Sequence, residues 1–203
     1  MNLRLATRSG SAACALALLL TVSTAAAQDF SNRSASDIDP ELRAALLNAV
    51  ALSNSFVDHF DAQVWLTDMS GRLSRKVPDA HERLDILRIV HQQATLADLP
   101  PELVLAVIDV ESNFDRYAIS RANALGLMQV MPFWIDELEI AGDFNVLFDI
   151  EMNILIGCRI LKYYLDMEDG DLVQGLARYN GSYGLRVYAD KVLDRLSDTW
   201  FRR

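Results

Sequence analysis

One carboxylate in this chain closes an apolar stretch and is followed by a polar, glycine-containing segment. Glu111-Ser112 ends the apolar run from Leu103 to Val110, and the segment Gly126-Leu127-Met128-Gln129-Val130-Met131-Pro132 comes shortly after it. Pro100 disfavours continuation of the preceding segment and Pro101 suits a first helical position, so the run predicts a helix that begins here. A carboxylate at the end of a buried helix is a candidate general acid.

Helical spacing separates the two carboxylates near the end of this helix. Glu111 shares its face with the apolar residues Val104, Val107 and Ile108. Asp109 lies on another face, with Glu102, Leu105 and Ala106. Glu111 is therefore predicted to be the more buried, and burial together with the negative end of the helix dipole would raise its pKa and retain its proton. The alternative is a helix-ending glutamate that faces water.

The rest of the chain predicts further helices. Apolar residues recur at helical spacing in three groups, namely Leu42, Leu46 and Val50; Ile86, Ile89, Val90 and Ala94; and Leu155, Cys158, Leu161, Tyr164 and Leu165. No strand pattern of comparable length occurs, and glycines and prolines divide the helices. We therefore predict an all-α globule without internal repeats, whose roughly 175 residues after a leader suffice for one hydrophobic core.

The first 27 residues have the pattern of a signal peptide. Arg4 and Arg8 precede an apolar stretch from Ala12 to Val22, and Ala25-Ala26-Ala27 would permit cleavage before Gln28. The stretch spans only about 16 Å as a helix, too short for a bilayer core of about 30 Å. Cys14 could indicate a lipoprotein signal, but it precedes the leucine run instead of following it. An exported protein of the periplasm or cell envelope is expected, with no transmembrane anchor in the mature chain.

Charge and residue types exclude several kinds of chemistry. Without the leader's two arginines, 17 basic residues face 28 acidic ones, a net charge of −11 that argues against a nucleic-acid partner. Cys158 would then be the only cysteine, so no internal disulfide forms, and its apolar helix face predicts an inert thiol. His81-Glu82 is followed by Asp85 where a zinc motif needs histidine, and no metal or other cofactor is predicted.

Four motifs in order resemble the family 1 lytic transglycosylases, the soluble-lytic-transglycosylase (SLT) type with a lysozyme-like fold. They are Glu111-Ser112-x-Phe114 with Ala118-x-Ser120; Ala124-x-Gly126-Leu127-Met128-Gln129-Val130-Met131-Pro132; Asn153-Ile154-x-x-Gly157; and Ala177-x-Tyr179-Asn180-Gly181. The resemblance covers roughly residues 86 to 192. It implies a catalytic domain over residues 81–203. The polar, Ser/Asp-rich composition of residues 28–40 predicts a tether, and the helical spacing that begins near Glu41 predicts a helical extension over residues 41–80.

The resemblance also implies a reaction and a set of site residues. Such enzymes cleave peptidoglycan between N-acetylmuramic acid (MurNAc) and N-acetylglucosamine (GlcNAc) and form a 1,6-anhydro ring, with one glutamate, here Glu111, as acid and then base. The substrate-binding positions correspond to Ser120, Gln129, Met131, Tyr179 and Asn180. Peptidoglycan glycan strands are the implied partner, and other cell-envelope proteins are a further class of partner.

Simpler structural interpretations stand beside these roles. Met131 can be a core residue, Asn180-Gly181 a helix end, and Gly157 a point of close helix packing. Asn123 occupies a position where the family commonly has glycine, and asparagine tolerates the left-handed backbone best among other residues.

Two other functions remain open. A goose-type lysozyme-like hydrolase would orient water with a second carboxylate, for which Asp115, Asp143 and Asp149 are candidates. A non-catalytic glycan-binding scaffold of an envelope machine would not need the acid.

Overall fold

Seven α-helices make up most of what the computed structural model describes, which is Ser55 and residues 58–140 and 142–201. They are α1 (His59–Leu73), α2 (Ala80–Leu96), α3 (Pro101–Glu111), α4 (Phe133–Glu137), α5 (Ile150–Met167), α6 (Leu172–Tyr179) and α7 (Val187–Arg195). A 3-10 helix, Phe144–Phe148, precedes α5, and a π-helical turn, Leu196–Trp200, follows α7. The described residues contain isolated β-bridges but no strand, which confirms the all-α prediction for this part of the chain.

Aspartate side chains begin several of these helices. Asp58, Asp79 and Asp149 each accept a hydrogen bond from the backbone N–H three residues later, at 2.8, 2.7 and 3.0 Å. Asp171 accepts from the N–H groups of Val173 and Gln174. An N-terminal cap of this kind contributes about 1 kcal/mol and places negative charge at the positive end of the helix dipole. Some of the chain's acidic residues therefore stabilise the starts of helices.

Helix α3 lies at the centre of the domain. Every residue from Leu103 to Ile108 is at most 1% exposed, and the helix packs against α2, α7 and the π-helical turn. A helix that is apolar on all sides is expected to be buried on all sides. Pro101 occupies its first turn as predicted. The residue that ends this helix, Glu111, is thus held on one of the most constrained elements of the fold.

The predicted N-terminal segments are only partly covered by the structure. The signal peptide (1–27), the polar tether (28–40) and residues 41–54, with Leu42, Leu46 and Val50, lie outside the described residues. The remainder of the 41–80 extension contains α1, which contributes Trp65, Leu66, Met69 and Leu73 to the same hydrophobic core as the other helices. Among the described helices, none has the length and apolar character needed to cross a bilayer.

Candidate active site

The carboxyl group of Glu111 is half-buried at the C-terminal end of α3. The Tyr188 hydroxyl on α7 donates a hydrogen bond of 2.6 Å to Glu111 Oε1. Burial raises the pKa of Glu111 from an ordinary value near 4.5 to about 7, and the Tyr188 hydrogen bond offsets part of that rise. Near neutral pH the group is therefore poised to hold or release a proton.

Two tyrosines flank this carboxyl group. Tyr179, at the end of α6, donates a hydrogen bond of 2.7 Å from its hydroxyl to the Met128 carbonyl oxygen. Burial and the negative charge of Glu111 raise the pKa values of Tyr179 and Tyr188 well above 10. Both phenols therefore remain neutral hydrogen-bond donors. The substrate-binding role of Tyr179 stays a prediction.

Sequence reasoning missed Tyr188. It lies 77 residues after Glu111, and its spacing to Val192 on α7 predicts an ordinary core position. The sequence offered one indication. A tyrosine that is buried, as Tyr188 is, usually has a hydrogen-bond partner for its hydroxyl group.

The turn that follows Glu111 has a strained backbone. Asn113 and Phe114 adopt left-handed conformations with φ values of 51° and 67°, and Phe114 is buried. Such a conformation costs on the order of 1 kcal/mol or more for a residue other than glycine, so the surroundings must hold it in place. Ser112 contributes by donating a hydrogen bond of 2.8 Å from its hydroxyl to the Leu127 carbonyl oxygen.

Two of the predicted substrate-binding residues shape the loop of residues 118–132, which follows the turn. Ser120 Oγ accepts hydrogen bonds from the backbone N–H groups of Ala122 and Ala124. Gln129, with φ of 51°, donates from Nε2 to the carbonyl oxygens of Ala118 and Gly126. Asn123 has φ of 66°, which confirms that it adopts the left-handed conformation expected at a glycine position.

Asn153 on α5 holds the loop in place through side-chain hydrogen bonds. It is 1% exposed, accepts a hydrogen bond of 2.8 Å from the Met128 N–H, and donates to the carbonyl oxygens of Leu125 and Leu147. A Cβ atom at Gly126 would overlap Leu147 O and the Asn153 side chain. The loop therefore approaches α5 as closely as backbone atoms allow.

Gly157, one helical turn after Asn153 on α5, also allows the loop to pack closely against α5. A Cβ atom there would overlap the Met128 side chain, which confirms the packing interpretation of this glycine. Met128 thus packs between α5 and the candidate site, where its carbonyl oxygen accepts the Tyr179 hydrogen bond.

The remaining predicted site residues lie nearer the surface. Met131 is half-buried and lies outside the hydrophobic cluster of the described residues. The interpretation of Met131 as a core residue is therefore wrong. Asn180 is exposed and caps α6, and Gly181 follows with φ of 76°, the usual geometry of a helix end.

Cys158 is buried, and burial raises the pKa of its thiol to about 12. The predicted burial of Cys158 is therefore confirmed, and its inertness stays a prediction.

The prediction that Asp109 is less buried than Glu111 is wrong. The Asp109 side chain is 2% exposed and forms an ion pair of 2.5 Å with Lys76, and the Trp200 indole N–H donates to its other oxygen at 3.1 Å. Helical phasing failed here because segments remote in sequence cover the face of α3 that carries Asp109.

The three aspartates considered as a second catalytic carboxylate are all exposed, and each has a local structural partner. Asp115 accepts a hydrogen bond from the Tyr117 N–H at 2.9 Å. Asp143 accepts from the backbone N–H of Asn145 and from its side chain. Asp149 caps α5. None of these contacts involves Glu111.

Glu111→Gln is expected to stabilise the fold at alkaline pH. The stability due to the neutral carboxyl is complete below its unfolded pKa, near 4.5, and is lost as pH rises through about 7, because the unfolded chain ionises first. Glutamine does not ionise, so the variant should gain about 1–3 kcal/mol over the wild type above pH 7. Urea unfolding of both proteins at about pH 5.5 and about pH 8 measures this. An equal difference at both pH values would contradict the raised pKa.

Comparison with known proteins places this arrangement in a family. A family model described as the transglycosylase SLT domain matches residues 88–189. Membrane-bound lytic murein transglycosylase C of Sodalis glossinidius is 34% identical over 54% of this chain, and that of Photorhabdus laumondii is 32% identical over the same share. The chain spans about a third of the length of these relatives, 34% in both cases.

Among solved structures, the 70 kDa soluble lytic transglycosylase of Escherichia coli aligns with 72% of this chain and 27% of its own, with 20% sequence identity and a TM-score of 0.45. The family model matches half of the chain, over the region that contains α3, the loop and α6. The chain belongs to the transglycosylase SLT domain family.

Proposed function

We propose that this protein is a peptidoglycan lytic transglycosylase, which cleaves the bond between MurNAc and GlcNAc and leaves a 1,6-anhydro-MurNAc end. The observation that carries the proposal is the half-buried Glu111 carboxyl with a pKa of about 7, hydrogen-bonded to the neutral phenol of Tyr188. Membership of the SLT family and the names of the relatives support it.

One carboxyl group would serve twice in this reaction. Because Oε1 accepts the Tyr188 hydrogen bond, the proton of Glu111 resides on Oε2 and is transferred to the glycosidic oxygen as the bond breaks. The muramyl ring then carries oxocarbenium character, and the Glu111 carboxylate accepts the proton of the sugar's C6 hydroxyl as its oxygen bonds to C1. A pKa near neutrality suits both steps, since the group must give up a proton and then take one back.

An internal nucleophile would remove the need for a second carboxylate. Hydrolases of glycosides pair two carboxyl groups about 5–5.5 Å or about 6.5–9.5 Å apart. The exposure and local hydrogen bonds of Asp115, Asp143 and Asp149 favour the intramolecular route over a goose-type hydrolase. The C6 hydroxyl belongs to the reacting sugar, so its effective concentration is high.

The other site residues divide into two roles in this proposal. Ser120 and Gln129 hold the loop and Tyr179 holds the Met128 carbonyl oxygen through their own hydrogen bonds, and they would position the loop beside the substrate. Met131 and Asn180 are accessible, and they would contact the glycan directly.

We further propose that the protein acts in the cell envelope after removal of residues 1–27. Its substrate is found there, and the relatives are named membrane-bound murein enzymes. Peptidoglycan strands are its proposed partner, and other envelope proteins are a secondary one.

Mass spectrometry of digested peptidoglycan tests the reaction. The expected products end in anhydro-MurNAc and are lighter by one water than hydrolytic products. Heat-denatured protein serves as the control for background cleavage. Reducing-end MurNAc would identify a hydrolase instead, and an absence of soluble fragments would reject both enzymatic functions.

A further inference from the structure

Two segments outside the family match meet at the helix that carries Glu111. Lys76 follows α1 and Trp200 ends the π-helical turn, whereas the family model matches residues 88–189. Lys76 Nζ lies 2.5 Å from Asp109 Oδ1, and Trp200 Nε1 donates to Asp109 Oδ2 at 3.1 Å. Arg195 Nε lies further away, 3.9 Å from Oδ1. We name Lys76, Asp109 and Trp200 the Asp109 clasp.

The clasp also holds the strained turn on the other side of Glu111. Lys76 Nζ donates to Asn113 Oδ1 at 2.6 Å, and the buried Trp200 ring packs against Phe114 with ring centroids 5.4 Å apart. Asn113 and Phe114 are the two left-handed residues of this turn. Glu111 therefore lies between two anchored points, Asp109 and the turn, and Lys76 and Trp200 each contact both points.

A third contact joins the two outer segments to each other. The Arg72 guanidinium at the end of α1 donates to the carbonyl oxygens of Thr199 and Phe201 at 2.6 and 3.1 Å. Asp68 fixes that guanidinium through an ion pair of 2.7 Å. The Lys76 side and the Trp200 side of the clasp are thus tied into one unit.

A buried ion pair by itself adds little to stability, because desolvation of the two charges offsets their attraction. The same contacts can still matter for the rate, since a small displacement of a reacting group can greatly reduce the rate of a reaction. We infer that Lys76 and Trp200 are positioning residues that orient the Glu111 carboxyl through Asp109 and the Asn113-Phe114 turn. This inference rests on the proposed function.

The test compares Lys76→Met and Trp200→Phe with a matched control on the same helix. Trp65 is also buried, and its indole N–H donates to Glu102 Oε1 at 2.9 Å in the first turn of α3. Trp65→Phe thus removes the same kind of bond far from Glu111. We expect kcat on soluble peptidoglycan fragments to fall about tenfold in both clasp variants, with KM within about twofold, and to be retained in Trp65→Phe. All variants are assayed well below their own unfolding temperatures.

The double variant Lys76→Met/Trp200→Phe adds a measurement that a purely structural role would leave unchanged. Lys76→Met and Trp200→Phe act on the same turn, so their effects on kcat should be less than additive, whereas Lys76→Met with Trp65→Phe should be additive. Carbon-13 NMR titration of Glu111 gives a measurement independent of turnover. We expect its pKa to move down from about 7 in the clasp variants, because a loosened turn admits water, and to stay in place in Trp65→Phe.

The two proposals fail separately. A wild-type protein that yields no anhydro products overturns the proposed function, and the titration alone then decides the role of the clasp. The positioning role is overturned if both clasp variants keep the kcat and the Glu111 pKa of the wild type. It is also overturned if Trp65→Phe lowers kcat or the Glu111 pKa as much as the clasp variants do.

Discussion

Replacement of Glu111 by glutamine is expected to lower the rate of glycan cleavage by about 10²–10⁴-fold, the usual contribution of a general acid–base group. The amide still accepts the Tyr188 hydrogen bond, so the geometry at the end of α3 should persist. It cannot donate a proton to the glycosidic oxygen at the required strength, nor accept one from the C6 hydroxyl. Turnover is measured by release of anhydro products, and binding by co-sedimentation with insoluble peptidoglycan, which the variant should retain.

The matched control is Glu102→Gln, the same change in the first turn of the same helix. Glu102 accepts the Trp65 indole hydrogen bond, which glutamine can also accept, so this variant should keep wild-type turnover. A non-catalytic scaffold makes the opposite prediction for Glu111→Gln. Its biological activity would survive the change in full, and that outcome would remove the enzymatic proposal.

Asn153→Leu is expected to destabilise the protein by about 3–5 kcal/mol, a large share of the 5–15 kcal/mol that usually holds a domain together. The leucine would leave the Met128 N–H and the Leu147 carbonyl oxygen without the Asn153 partner. It would also remove one of the two hydrogen bonds accepted by Leu125 O, which keeps its bond from the Val130 N–H. Each unpaired group costs about 1–3 kcal/mol. Chemical denaturation measures the loss, and active-site assembly should fail with it because Met128 carries the Tyr179 contact.

Asn145→Ala provides the comparison for this prediction. Asn145 is exposed on the 3-10 helix that precedes α5 and bonds to Asp143, so its loss should change stability by about 0.5 kcal/mol or less. Equal effects of the two substitutions would show that Asn153 does not hold the loop as the structure indicates.

The features that sequence reasoning predicted correctly depend on local or strongly patterned information. Pro101 begins α3 because proline suits the first turn of a helix. Gly157 admits Met128 because a glycine inside an apolar helix usually marks a close approach. Asn123 takes the left-handed backbone because few other residues tolerate it. Each of these inferences needed only a few neighbouring residues.

The features that were missed depend on partners far away in the chain. Asp109 was expected to be the more exposed carboxylate, because helical spacing cannot reveal that Lys76 and Trp200 cover it. Tyr188 was not singled out because its contact with Glu111 spans 77 residues. The motifs singled out Glu111 as the candidate acid, but tertiary packing determines the pKa of its carboxyl group, and packing cannot be derived from spacing alone.

The clasp has a consequence for the order in which parts of this protein fold. Contacts at Glu111 and Asp109 join residues 77 and 91 positions apart, and Arg72 joins residues 129 positions apart. Contacts of such long range form late, because the intervening chain must first be brought together. Before α7 and the π-helical turn dock, Glu111 would lack the Tyr188 hydrogen bond and part of its burial, so its pKa is expected to lie nearer 4.5 than 7. Under the proposed function, an incompletely folded molecule would therefore lack the protonated acid that glycan cleavage needs.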